Sequence, residues 1–231
     1  PFRSESREPL EWAVSNYDGW QPGYLLAMLE DFRGNSSRAA GLLAGDSSDY
    51  APFYAYRYGF TKDRSDLEKA LALDPEGWRY CKMLASDLVA DGAVSRAGTM
   101  RERFYSRHSD NVQVGDALID AYIASGQYAK AEKVVDKIVY LPFEGLEDSH
   151  AKYRRIKLHL AAEAVDKGRL SKAGALVEEA LLWPERLGVG KPYDDEVDTS
   201  AEEWLKSEIA ARRSSKGPFT PVVPQLEKYL K

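Results

Sequence analysis

The sequence predicts an all-α fold, a solenoid of antiparallel helical hairpins, on three observations. Glycines at 59, 92 and 126 recur at spacings of 33 and 34 residues, and Gly168 follows after 42, one beat plus an eight-residue insertion. That is the period of a helix–turn–helix repeat. Near-identical phrases follow the last two glycines: Gly126-Gln127-Tyr128-Ala129-Lys130-Ala131 and Gly168-Arg169-Leu170-Ser171-Lys172-Ala173. A small residue, Ala97, Ala131 or Ala173, stands at one offset behind each turn, where two helices must cross closely.

Each element has a local reason. Residues 24–32 and 37–43 form a degenerate helical pair around Gly34, as expected of an irregular cap over residues 1–49, since terminal repeats are atypical. A hairpin over residues 51–73 places Phe53, Tyr54 and Tyr58 before Gly59, then Leu67, Ala70, Leu71 and Leu73 before Pro75. The next carries Trp78, Cys81, Leu84, Ala85 and Leu88, then Val94, Ala97, Met100 and Phe104. The cleanest repeat runs over residues 112–141. Asp110-Asn111 supply its cap, and Leu118, Ile119, Tyr122 and Ile123 recur at helical spacing. After Gly126 the stripe is Tyr128, Ala131, Val134, Val135, Ile138 and Val139, ended by Pro142. The last full repeat reads Ile156, Leu160, Ala161 and Ala164, then Leu170, Ala173, Leu176, Val177 and Ala180, up to Trp183-Pro184. Asp148 or Ser149 is placed to cap its first helix. The core of about four hairpins thus spans 50–183. A connector, a final helix around Trp204, Leu205 and Ile209, and a Pro-rich tail occupy 184–231. The tail's last residues, 225–231, either fold back as one turn or hang free.

Composition narrows the class. The 231 residues are 44% hydrophobic and 30% charged, ample for one extended soluble domain. Lys+Arg 32 against Asp+Glu 37 leaves a formal charge of −5, so a nucleic-acid partner, which demands a dense basic face, is not expected. The single Cys81 falls on an apolar helix face and reads as a core thiol. No 18-residue apolar run exists, and residues 1–9 are charged, which argues against a spanning helix or a signal peptide. The expectation is a soluble chain, cytoplasmic or periplasmic, trimmed from a longer parent.

Large residues on helix one, a turn Gly, an Ala on helix two and a Pro at the exit resemble the tetratricopeptide repeat (TPR) family over about residues 51–182. Two loops, Tyr140-Leu141-Pro142-Phe143-Glu144-Gly145 and the stretch from Leu182-Trp183-Pro184 to Lys191-Pro192-Tyr193-Asp194, narrow the likeness, as does Ala51-Pro52-Phe53-Tyr54 with Leu73-Asp74-Pro75. They are similar to the TPR region of bacterial proteins that carry an N-terminal domain of unknown function, of the carbohydrate-associated β-supersandwich kind. This sequence departs from that group in holding no β-domain and in its 146–150 stretch. The resemblance implies an interaction array and no particular chemistry.

Each motif that suggests chemistry has a plainer role. Gly188-Val189-Gly190-Lys191-Pro192 lacks the full phosphate-loop pattern, and Pro192 stands where the Mg²⁺-binding hydroxyl belongs. Its plainer role is a rigid connector with Tyr193 packed on a neighbour. His108, His150 and His159 show no metal-ligand spacing. His150 beside Glu147 and Asp148 suits an acid/base pair less well than a helix-capping loop. No catalytic residue, cofactor or metal is assigned.

What remains is the concave face. Counted from the glycines, its exposed positions are Phe53, Tyr56, Arg57, Arg79, Lys82, Ser86, Asp116, Asp120, Ile123, Arg155 and His159. Lys82, Arg155 and His159 match the basic positions of a carboxylate clamp, although Ser86 and Ala117 stand where its asparagines belong. The expected function is a non-catalytic protein- or peptide-binding scaffold. One alternative is an accessory module of a carbohydrate-handling protein that packs on a β-domain through Glu144, Trp183, Lys191, Tyr193 and Trp204. A second is an enzyme with a site formed by the 143–150 and 183–194 loops.

Overall fold

The computed structural model describes residues 3–45, 47–141, 148–193, 196–215 and 217–230, and among these it is helical, with no strand. Two compact units, Pro1–Met100 and Arg101–Lys231, divide the chain.

The first unit holds α1 (Arg7–Asn16), α2 (Trp20–Phe32), α3 (Ser36–Leu43), α4 (Ala51–Thr61), α5 (Arg64–Leu73), α6 (Trp78–Ala90) and the start of α7 (Val94–Tyr105). Successive helices pack on one another as hairpins, α1 on α2, α2 on α3, α4 on α5. Residues 1–49 thus hold three helices, the first of them unforeseen. The short apolar stripe of α1, Leu10, Ala13 and Val14, is only partly buried, and charge ties the helix to its neighbours. The Arg7 Nε lies 3.1 Å from both Glu11 and Glu30, and Arg38 reaches Glu11 at 2.6 Å and Glu30 at 3.3 Å. Glu30 is fully buried, which a carboxylate tolerates only when paired and hydrogen-bonded; Asn35 donates to it at 2.6 Å.

Aromatic rings fill the core between α2 and α4. Trp20 stacks on Tyr50 with centroids 5.4 Å apart, and Tyr24, Phe53 and Tyr56 meet one another tilted or edge to face. Such pairs add about 0.5–1.5 kcal/mol each beyond area burial. A second, aliphatic cluster joins Leu67, Leu84, Ala85, Leu88 and Ala97. Cys81 is buried, as expected of a core thiol. One turn departs from the glycine beat. α4 runs past Gly59 to Thr61, and Lys62 takes the left-handed conformation at φ 55°, while Gly92, Gly126 and Gly168 do have positive φ.

The second unit contains α8 (Val112–Ala124), α9 (Tyr128–Val135), α10 (Ser149–Asp166), α11 (Leu170–Ala180), α12 (Ser200–Ser214) and α13 (Val223–Leu226). Asn111 caps α8, its side chain accepting from the Gln113 and Val114 amides. Ala131 and Ala173 are completely buried. α10 is the central element, packed against α8, α9, α11, α12 and α13, and this explains its composition: Tyr153, Ile156, Leu158, Leu160, Ala161 and Ala162 face inward on several sides.

α9 is shorter than its stripe. It ends at Val135, and Val139 is exposed, because Tyr140 donates its N–H to the Arg186 carbonyl at 2.7 Å instead of continuing the helix. The connector after α11 is stitched there. Arg186 also bonds the Val135 carbonyl, and Ser149 donates its Oγ to the Leu187 carbonyl at 2.7 Å rather than capping α10. Gly188 closes the junction in the left-handed region, where a Cβ would lie 2.7 Å from the Tyr140 carbonyl oxygen.

Candidate functional site

The predicted groove residues fall into three groups. On α6 the apolar face, Cys81, Leu84, Ala85 and Leu88, is buried, which turns Arg79, Lys82 and Ser86 to solvent on the opposite side. The Arg79 guanidinium lies over the half-buried Trp78 ring at 4.7 Å. Asp87 secures the helix, accepting from the Tyr58 hydroxyl at 2.6 Å and from Arg64. Those two bonds hold its carboxyl below the usual range.

The α4 residues are occupied internally. Phe53, predicted on the groove, is fully buried in the aromatic core, because α4 turns that position toward α2. Arg57 is directed at α5, where its Nη2 lies 2.6 Å from buried Asp66 and its Nε 3.1 Å from both carboxylate oxygens. Tyr56 donates to Asp31 at 3.0 Å and lines a shallow open depression with Ser36, Ala40, Gly59 and Phe60. Burial, then the Asp31 carboxylate, raises its phenol.

The groove residues of the second unit are mostly engaged by other groups of the chain. Asp116 is buried rather than exposed: Tyr140 donates to it at 2.9 Å, and Lys152 donates to both its oxygens. Asp120 is exposed but lies 2.9 Å from the same ammonium, and Asp148 lies 3.2 Å from it. Ile123 is half-buried. Burial opposes the charge of Lys152, yet the bonds to Asp116 and Asp120 raise its pKa. One turn on, Lys157 is arranged the same way, 2.8 Å from Glu132 and from Glu179. Arg155 and His159 meet Glu227 of the tail, Arg155 Nη2 at 2.5 and 2.7 Å and His159 Nε2 at 2.9 Å. His159 is buried, with its ring stacked on Tyr128 at 3.9 Å. Burial lowers its pKa, and the Glu227 charge offsets only part of that.

The loop residues are less unified. His150 lies inside α10, its Nε2 3.0 Å from the Leu182 carbonyl and its ring stacked on Trp183. Burial again pushes the imidazole pKa down. Trp204 stacks on Tyr229 at 4.4 Å. Lys191 is exposed, and Tyr193, expected to pack on a neighbour, is instead 80% exposed on an irregular stretch of the connector. Glu144, Glu147 and Asp194 lie outside the described residues. Sequence reasoning missed Glu227, Lys152 and Lys157. Glu227 stands 68 residues from His159, and no local pattern signals such a pairing. Among the described residues no helix is long and apolar enough to cross a membrane. Compared with known proteins, the chain matches no protein-family model and no curated protein, so its helical-hairpin architecture stands on its own residues.

Proposed function

We propose that the chain is a non-catalytic scaffold of TPR-like helical hairpins that binds a protein or peptide segment. The observation that carries this reading is the polar face of α6, where Arg79, Lys82 and Ser86 are all exposed beside a half-buried tryptophan. Two cations on one helix face attract an acidic segment, with an effect that falls as salt rises. Panning a random peptide library on the immobilised chain tests it. Acidic peptides should be enriched from the wild type and lost from the Arg79→Glu/Lys82→Glu variant. Equal enrichment by both proteins would defeat the reading.

A second reading, an accessory module that packs on a β-domain, is favoured by the exposure of Leu141, Leu182 and Tyr193 around the connectors. Large apolar residues left in solvent mark contact surfaces when they are contiguous. Concentration-dependent self-association relieved by Leu182→Ser would support it. A monomer at all concentrations would count against it.

A further inference from the structure

The segment after α12 occupies the α10–α12 face in the way a bound peptide does. It enters through an exposed stretch, residues 217–221, with Gly217, Pro218 and Pro221. Its three inward anchors are Val222 and Leu226, both fully buried, and Tyr229, which stacks on Trp204. They bracket a single helical turn, Val223–Leu226, extended by i→i+3 bonds to Tyr229, and Val223 and Leu230 pack beside them; short segments that seat alternate apolar residues in this way are a recurring mode of peptide recognition. Its backbone is held by groups that read no side chain: the Asp166 carboxylate accepts the Val222 amide at 2.7 Å and the Val223 amide at 3.1 Å, and Arg212 donates to the Thr220 carbonyl at 2.6 Å. Its one charged anchor, Glu227, is half exposed between Arg155 and His159. Fixed backbone contacts, apolar sockets and an accessible charge pair are the parts of a recognition site. A helix of four residues has no stability of its own and exists because this face organises it.

We infer that this face is a docking site for a short segment of a partner protein that forms one helical turn on it, with apolar residues at i and i+4, a glutamate at i+5 and an aromatic residue at i+7. Residues 222–230 are its internal competitor. The inference is independent of the α6 face, and either can fail alone. A tethered competitor acts at an effective concentration of about 1 mM, so an outside segment binds weakly until the tail is loosened.

The probe is a fluorescent synthetic peptide with the sequence of residues 217–230, titrated by anisotropy onto the full chain. Leu226→Asp/Glu227→Lys, which weakens only the resident tail, should bind the peptide at least tenfold more tightly than the wild type. Adding Arg155→Glu should reverse most of that gain. No gain in the tail variant, or a gain indifferent to Arg155→Glu, overturns the proposal. Hydrogen exchange on the unmodified chain decides the matter if the tail variant folds poorly. The Val222 and Val223 amides should exchange through a local opening at least tenfold faster than amides in the middle of α10. If they exchange only with global unfolding, the tail is an integral part of the fold and the proposal fails.

Discussion

α6 and α10 are each the first helix of a hairpin, and both carry several basic residues, yet only one presents them to solvent. Arg79 and Lys82 on α6 are exposed, whereas Lys152, Arg154, Arg155, Lys157 and His159 on α10 all meet carboxylates from other elements. Arg154, for example, makes two bonds to the buried Glu202 at 2.6 and 2.7 Å. The difference lies in the neighbours. Five helices pack around α10, so a position that would line an open groove in a bare hairpin becomes an internal contact. Register with a repeat identifies a side chain's direction, and only the full set of packed elements decides whether solvent, a partner or the chain itself lies there.

The largest expected effect lies in the second unit, at the hairpin beside α10. Ala131→Glu should cost about 4 kcal/mol in denaturant unfolding, through overpacking and a buried charge at a fully buried crossing; a change under about 0.5 kcal/mol would refute the hairpin packing.

Next comes the contrast itself. Lys157→Ala on α10 leaves Glu132 and Glu179 facing each other without their cation and should cost about 2–3 kcal/mol, below the fully buried case because both carboxylates reach solvent. Lys82→Ala on α6 should stay within about 0.5 kcal/mol. Similar losses from the two variants would erase the distinction between the helices.

Between pH 7 and pH 5 acid should then act on α10, whereas α6, which has no histidine, should lose stability only at lower pH, where Asp87 takes up its proton. His150 and His159 both titrate below the ordinary imidazole value because burial disfavours their charged forms. The groups facing His159 are Glu227, Arg155, Glu163 and the stacked Tyr128 ring, and the charges facing His150 are Arg154 and Glu202. The stability each contributes by staying neutral is complete above about pH 6.5 and fades as pH falls toward the folded value, since the unfolded chain takes up the proton first. Melting temperature should therefore drop between pH 7 and pH 5, and His159→Gln should shrink that drop. An unchanged slope in the variant would show that the imidazole is not the titrating group.

The smallest effect sharpens the turn grammar. Lys62→Gly should stabilise the first unit by about 0.5–1 kcal/mol, because a non-glycine residue in the left-handed region is strained, less whatever is lost with the Lys62 ammonium over the Tyr58 ring. Destabilisation would mean that this contact outweighs the strain.

Much of the architecture was legible because it is local. The turns at Gly92, Gly126 and Gly168 and the crossings at Ala97, Ala131 and Ala173 depend on residues a few positions apart, and the structure places them as their spacing implies. α1 escaped notice because its apolar stripe, Leu10, Ala13 and Val14, is short and partly exposed, and the ion pairs that help hold it involve Glu30 and Arg38 on later helices. Phe53 was misplaced because α4 is apolar on more than one side, so its stripe does not identify which face is covered. For Arg155 and His159 the obstacle was distance along the chain. Their residue types and helix face were readable, but the carboxylate that covers them arrives from the tail.

The seam at Gly188 constrains how this molecule can change over generations. In a simple array each inter-helix link grows or shrinks without consulting the others, yet here the link leaving α9 is hydrogen-bonded to the link leaving α11, with no room for a side chain where they touch. The stretches that meet there, 136–140 and 182–188, should therefore tolerate neither insertion nor deletion.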